Sequence, residues 1–211
     1  MSWFITFEGP EGAGKTTQCH ALATRLRDQG YDCLVTREPG GTPLGEAIRE
    51  WLLGRNTLRA ETEALLFTAA RAEHAWERIR PALARGTIVL CDRYVDSTLA
   101  YQGAGRGLDE RWLRELHRVA TGDLWPDLTV LLDVPVELGL ARRRAAGETL
   151  TRLDSELTSF HERVRAWYHT AAQREPTRWR VIDATKAPET VAEAVWVAVA
   201  EFLEQRKRTG R

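Results

Sequence analysis

Gly9-Pro10-Glu11-Gly12-Ala13-Gly14-Lys15-Thr16 matches the pattern G-x-x-x-x-G-K-[ST], and it stands between a short apolar run and an amphipathic segment. That setting leaves few folds open. The glycines let backbone N–H groups turn inward as an anion nest. Lys15 reaches the β/γ-phosphates of a nucleotide, and the Thr16 hydroxyl suits a magnesium ion. A helix starting at Lys15 aims its positive end at the same phosphates. Gly9, Pro10, Glu11, Gly12, Ala13, Gly14, Lys15, Thr16 and Thr17 are therefore expected to wrap the phosphates of ATP or GTP.

The remainder of the chain alternates in the same way. Trp3–Phe7, Cys33–Thr36, Thr87–Cys91, Thr129–Asp133 and Trp179–Asp183 read as strands, being short, apolar and rich in β-branched or aromatic residues. Lys15–Gln29, Leu44–Leu53, Ala60–Ala84, Glu110–Ala120, Val136–Ala145, Asp154–Glu175 and Pro188–Gln205 have helix length and periodicity. Near-continuous apolar strands between helices predict an α/β fold, a five-stranded parallel sheet with helices on both faces. Ligands then bind beyond the carboxyl ends of the strands, so the loops starting at Glu8, Arg37, Asp92 and Asp133 should converge on one cleft. A length of 211 residues suits one such domain, with only the tail Arg206–Arg211 expected to fray.

Composition narrows the partners. Thirty basic and thirty acidic side chains balance, which argues against a nucleic-acid-coating protein. Cys19, Cys33 and Cys91 are odd in number and scattered, so each reads as a small core hydrophobe in a reducing compartment. The N-terminus lacks the basic start and apolar run of a signal peptide. No stretch approaches the ~18 apolar residues of a membrane span. The expected location is cytoplasmic.

Other motifs discriminate among nucleotide-binding classes. There is no N-K-x-D base-reading motif of a small GTPase, and no apolar run ends in the paired D-E of a mechanical ATPase. The third run ends Cys91-Asp92-Arg93-Tyr94 instead. Asp92 suits magnesium or its water shell, and Arg93 suits a substrate phosphate. A metal-side carboxylate beside an acceptor-side cation fits a phosphoryl transferase whose acceptor is itself an anion.

These residues resemble the bacterial thymidylate kinases, within the P-loop nucleoside-monophosphate kinases. The resemblance rests on Phe7–Thr17, Thr36-Arg37-Glu38-Pro39-Gly40-Gly41-Thr42, Leu65–His74, Asp92-Arg93-Tyr94 and Ser97–Gly103, in that order. It extends through Leu132-Asp133-Val134 and Phe160–Arg165. It implies a three-layer P-loop NTPase fold with a lid, ATP and dTMP as substrates with Mg²⁺, and a homodimer. It also implies residue roles. Phe67 would stack on thymine, and Arg71, one helical turn on, would donate to a base carbonyl. Arg93, assisted by Arg37 and Arg49, would hold the dTMP phosphate. Thr98 and Gln102 would offer hydrogen bonds near the base edge. Tyr101 would crowd the 2′ position, and Glu11 would meet the 3′-hydroxyl or help position the acceptor phosphate.

The resemblance places the lid at about residues 142–156, with Arg142-Arg143-Arg144 at its start and Leu150-Thr151-Arg152 further along it. The resemblance also implies that, with Gly12 leaving no arginine in the phosphate loop, the lid brings a cation to the transferring phosphoryl. Arg152 keeps its motif position, while Arg143 and Arg144 stand close to where other members carry an arginine at Ala146. Kinases of another pyrimidine monophosphate (UMP or CMP) and deoxynucleoside kinases remain alternatives. Arg93 and Arg37 favour an acceptor that already carries a phosphate.

Overall fold

The computed structural model describes residues 2–54, 57–146 and 151–208. Among these, five strands form one parallel sheet in the order β2-β3-β1-β4-β5. They are β1 Phe4–Glu8, β2 Cys33–Arg37, β3 Ile88–Asp92, β4 Leu128–Asp133 and β5 Trp179–Asp183. The strands β1, β2 and β3 each end one residue later than the apolar pattern suggests. Glu8 and Asp92 thus belong to the sheet, each as its strand's last residue. A polar side chain at a strand end is invisible to hydrophobic periodicity, yet its backbone still pairs.

Side-chain alternation sorts the two sheet faces. Ile5, Phe7, Leu90, Val130 and Leu132 face one layer, while Phe4, Val89 and Cys91 face the other. The edge strands β2 and β5 are only partly buried, as edges usually are. Cys19, Cys33 and Cys91 are free and buried within these layers, as small apolar residues.

The helices are α1 Lys15–Asp28, α2 Pro43–Leu53, α3 Ala60–His74, α4 Arg80–Ala84, α5 Val95–Thr98, α6 Glu110–Thr121, α7 Val136–Ala145, α8 Thr158–Arg174 and α9 Pro188–Arg208. Helices α1 and α9 pack on the Ile5–Phe7 face. Three differences from the periodicity reading have local causes. The run Ala60–Ala84 is continuous but widens to a π-helical turn at Ala75–Ile79 between α3 and α4. Pro81 offers no N–H and crowds the carbonyl four residues back, which loosens the bonding pattern there. The helical stretch Val95–Gly105, α5 with a π-helical continuation at Leu99–Gly105, was not expected. Gly103 and Gly105 depress its apparent propensity, and burial compensates. Helix α8 starts at Thr158, because Asp154 draws the preceding residues into a turn by accepting from Thr151 N (2.8 Å) and Thr151 Oγ1 (2.7 Å). Residues 147–150 of the expected lid and 209–211 of the tail lie outside the described residues. Among the described residues no helix is long and apolar enough to cross a membrane.

Candidate active site

Strand ends set the site. Phe7 of β1, Asp92 of β3 and Arg37 of β2 lie abreast, and the loops after them open into a cleft of about 430 Å³. The loop after Asp133 does not line it. Asp133 is instead held by Arg165 (2.7 Å) and His169 (3.1 Å) of α8. The fourth strand reaches the cleft through α7, which brings Arg142 and Arg143.

The phosphate loop is held from outside as well as by its own glycines. Gly12 has φ of 69°, and a Cβ there would lie 2.0 Å from the Gly139 carbonyl oxygen of α7. In return, a Cβ on Gly139 would lie 2.2 Å from the Glu11 carbonyl oxygen. Two backbones touch, so neither position accepts a side chain. With this contact in place the loop has no room for an arginine side chain at Gly12. Helix α1 then begins at Lys15, with Gly14 as its N-cap and no acidic residue in its first turn to compete for an anion.

Lys15 is buried, and its Nζ donates to the carbonyls of Gly9 (3.1 Å) and Pro10 (2.8 Å). Burial, with Arg93 nearby, brings its ammonium down to about 8 against the pull of Glu11, Asp92 and Glu8. Thr16 Oγ1 donates to Asp92 Oδ2 at 2.5 Å, so a hydroxyl and a carboxylate sit side by side at the loop's mouth. Two hard oxygen donors of this kind fit a magnesium ion that takes the rest of its shell from phosphates and water.

Arg93 joins the two ends of the cleft. Its backbone is left-handed, φ 69°, an uncommon state for a residue with a long side chain. Nη1 donates to Gly9 O (3.3 Å) and Ser97 Oγ (3.0 Å), while Nη2 donates to Glu11 Oε1 (2.6 Å) and Tyr101 OH (3.1 Å). Burial pushes the Glu11 carboxyl up, but Arg93 and Lys15, with a hydrogen bond from Tyr101 (2.8 Å), outweigh it and hold it at about 2. Beneath them lies Glu8, fully buried and taking four donors: Tyr94 N, Ser97 N, Ser97 Oγ and Tyr168 OH. Burial and the nearby Asp96 raise its carboxyl to about 7, against the pull of Arg93 and of these donors.

The far wall is built from α2, α3 and the Val95–Gly105 helix. Phe67, Thr98, Tyr101 and Gln102 line it. The last three stand three and four residues apart, so one helix face presents them all. Arg71 is 2% exposed and lies behind this wall. Its Nε donates to Glu38 Oε2 (2.7 Å) and its Nη2 to Thr98 Oγ1 (2.9 Å). The other Glu38 oxygen takes His74 Nδ1 (2.9 Å), and His74 Nε2 meets Thr36 Oγ1 (2.6 Å). A carboxylate only accepts, so Nδ1 carries the proton. Arg37 and Arg49 both line the cleft, the first paired with Glu46 (3.0 Å) and the second donating to Pro39 O (2.9 Å).

The arginines around the expected lid separate sharply. Arg143 lines the cleft, lowers the Glu11 carboxyl and pairs with Asp154 (3.1 Å). Arg144 is exposed and does not line the cleft. Arg152 turns away from the phosphate loop and pairs with Glu63 of α3. It does not line the cleft either. Sequence reasoning overlooked Glu38, Glu63, His74, Ser97 and Arg142. Of these, Glu38, His74, Ser97 and Arg142 stood inside quoted segments without a role of their own, whereas the isolated Glu63 carried no signal. Among the described lining residues six cations, Lys15 and five arginines, face three carboxylates, a balance suited to anionic ligands.

Comparison with known proteins adds the family. The family model described as thymidylate kinase matches residues 7–195. A thymidylate kinase of Thermomicrobium roseum is 78% identical over 99% of this chain and 100% of its own length. One from Desulfovibrio desulfuricans is 50% identical over 97% of this chain and 98% of its own. A crystal structure of thymidylate kinase from Ehrlichia chaffeensis superposes with a TM-score of 0.77 at 36% identity, covering 94% of this chain and 98% of that one.

Proposed function

The chain belongs to the thymidylate kinase family, and from that premise we propose how its cleft moves the γ-phosphoryl of ATP onto dTMP, giving dTDP and ADP. The observation that carries the reading is Arg93. One guanidinium touches the phosphate loop at Gly9 and the acceptor wall at Tyr101, so it stands where two phosphates would meet.

On the donor side, Gly9 through Thr17 cradle the ATP phosphates and Lys15 faces the β/γ-oxygens. Thr16 and Asp92 hold Mg²⁺, which neutralises phosphate charge when bound. A hollow of about 270 Å³ beyond the loop, bounded by Gln18, Arg142, Lys186 and Pro188, has room for the rest of the nucleotide. On the acceptor side, Arg93 holds the dTMP phosphate with Arg37 and Arg49. Phe67 stacks on thymine, and Arg71 offers a donor to a base carbonyl. Thr98 and Gln102 complete the base edge, Tyr101 crowds the 2′ position, and Glu11, ionised at any working pH, meets the 3′-hydroxyl. Arg143, which lies near Glu11, brings the lid's cation to the transferring phosphoryl; neither Arg144 nor Arg152 is so placed.

A purified sample given ATP, Mg²⁺ and a panel of acceptors tests this. dTMP should turn over best and dUMP less well, with UMP, CMP, AMP and free thymidine near background. Preference for free thymidine or for CMP would sink it.

We further propose a homodimer formed through α3. Leu65 (48% exposed), Ala69, Ala72 and Trp76 (56% exposed) recur every three to four residues along one apolar, solvent-facing stripe, and Trp51 of α2 is exposed as well. Light scattering at micromolar concentration should return twice the monomer mass. Location in the cytoplasm is supported by three free, buried cysteines.

A further inference from the structure

Glu63 is a fully buried carboxylate on α3, one helical turn before Phe67. Three side chains from two distant segments donate to it. Gln102 Nε2 reaches Oε1 at 2.5 Å, Arg106 Nη2 reaches Oε2 at 3.3 Å, and Arg152 Nη2 also pairs with Oε2. Arg106 Nη1 continues to Glu156 at 2.6 Å. Two guanidiniums and two carboxylates thus balance around one buried group. All three partners of Glu63 are N–H donors, so both carboxylate oxygens act as acceptors. The amide of Gln102 is therefore fixed with Nε2 turned to Glu63. Its Oε1 is the atom left for the cleft, which Gln102 lines beside Phe67 and Thr98.

We propose that Glu63 is a positioning residue for acceptor-base choice, acting through the amide of Gln102, with Arg152 and Arg106 as its counter-charges. The proposal rests on the reading above that Gln102 meets the base. Thymine and uracil present an N3–H donor between two carbonyls, and a fixed Oε1 accepts from it. Cytosine presents a bare N3 acceptor beside an amino group, so the same oxygen repels it. Arg71, a donor held by Glu38, selects in the same sense, since it meets a carbonyl and opposes an amino group. Arg152 then serves the acceptor base instead of the transferring phosphoryl.

The test is a double-mutant cycle on the ratio of kcat/KM for dCMP to that for dTMP, using Glu63→Gln, Gln102→Ala and the two combined. The amide introduced by Glu63→Gln has one acceptor oxygen, which the guanidiniums claim. Its amino group then faces residue 102, and the Gln102 amide turns over to offer Nε2 to cytosine. The ratio should rise about 10-fold, within the range of discrimination set by one site hydrogen bond. In the Gln102→Ala background the same change should leave the ratio where Gln102→Ala alone puts it. A ratio unmoved by Glu63→Gln, or moved by the same factor with Gln102 absent, overturns the proposal. A ratio unmoved by Gln102→Ala, in an enzyme that still prefers dTMP, overturns it at its premise and leaves the dTMP assignment standing. Failure of the unsubstituted chain to phosphorylate dTMP would instead refute the assignment itself. Removing a buried carboxylate leaves two guanidiniums face to face, so Glu63→Asp runs in parallel. It keeps the charge, falls one methylene short of Gln102, and should move the ratio in the same direction.

Discussion

The donor and acceptor ends of this cleft are built on different physics. At the proposed donor end, nine consecutive residues, Gly9 to Thr17, offer backbone N–H groups, one lysine and one hydroxyl. At the acceptor end, the groups come from β2, α3 and the Val95–Gly105 helix, and they are held by buried carboxylates. Glu38 fixes Arg71 and His74, and Glu63 fixes Gln102, Arg106 and Arg152. A cradle for phosphate needs only local chain geometry and positive charge. Reading a base needs donors and acceptors held at set angles, and that takes a second layer of side chains.

Substitutions at the two ends should therefore fail in different ways. The largest effect belongs to Lys15→Ala. It should leave the fold intact and lower kcat by about 10³-fold or more while barely changing KM for dTMP, since the lost charge faces the transferring group. Near-normal turnover in a folded variant would break the division outright. Next comes the lid pair. Arg143→Ala should cost about 10²-fold in kcat, in line with one positioned donor. Arg152→Ala should change kcat for dTMP far less and move acceptor choice toward dCMP. The reverse result would return Arg152 to the phosphoryl and join the two ends.

A smaller effect tests the acceptor frame. Glu38→Gln should raise KM for dTMP about 10-fold with kcat largely kept, because Arg71 loses its orienting charge but not its guanidinium. A loss confined to kcat would mean that Glu38 acts on the chemical step. The smallest effect compares Glu8 and Glu11, three residues apart and driven in opposite directions. Glu11 falls from 4.5 to about 2, so the stability it contributes is present above about pH 4.5 and is lost as pH drops towards 2. Glu8 rises from 4.5 to about 7, so its neutral form favours the fold, and that contribution fades as pH rises from 4.5 through 7. Urea unfolding across this range should give opposite pH slopes for the wild type relative to Glu11→Gln and relative to Glu8→Gln. Parallel slopes would mean that burial alone sets both carboxyls.

How much of this was legible follows the same division. The P-loop, its flanking strand and helix, and the Asp92-Arg93 pair lie within short windows, so residue types at fixed spacing identify them. The α/β layering was also readable, because apolar runs of five residues cannot serve as helices of useful length. The Val95–Gly105 helix was not, since its glycines argue against a helix and only packing against α8 and the sheet holds it. The sequence favoured Arg152 by its motif position, with Arg143 and Arg144 as stand-ins, and it held no sign that Arg143 lines the cleft while Arg152 pairs with Glu63.

By itself, the sequence determined which groups are available: a glycine-rich phosphate-loop motif, its lysine and threonine, a carboxylate at a strand end and several arginines. The tertiary structure decided which arginine faces which anion. Arg152 meets Glu63 across 89 positions of chain, and Arg93 meets Glu11 across 82. Coulomb attraction and desolvation depend on distance in space and on burial, and neither is written in the spacing of residues along the chain.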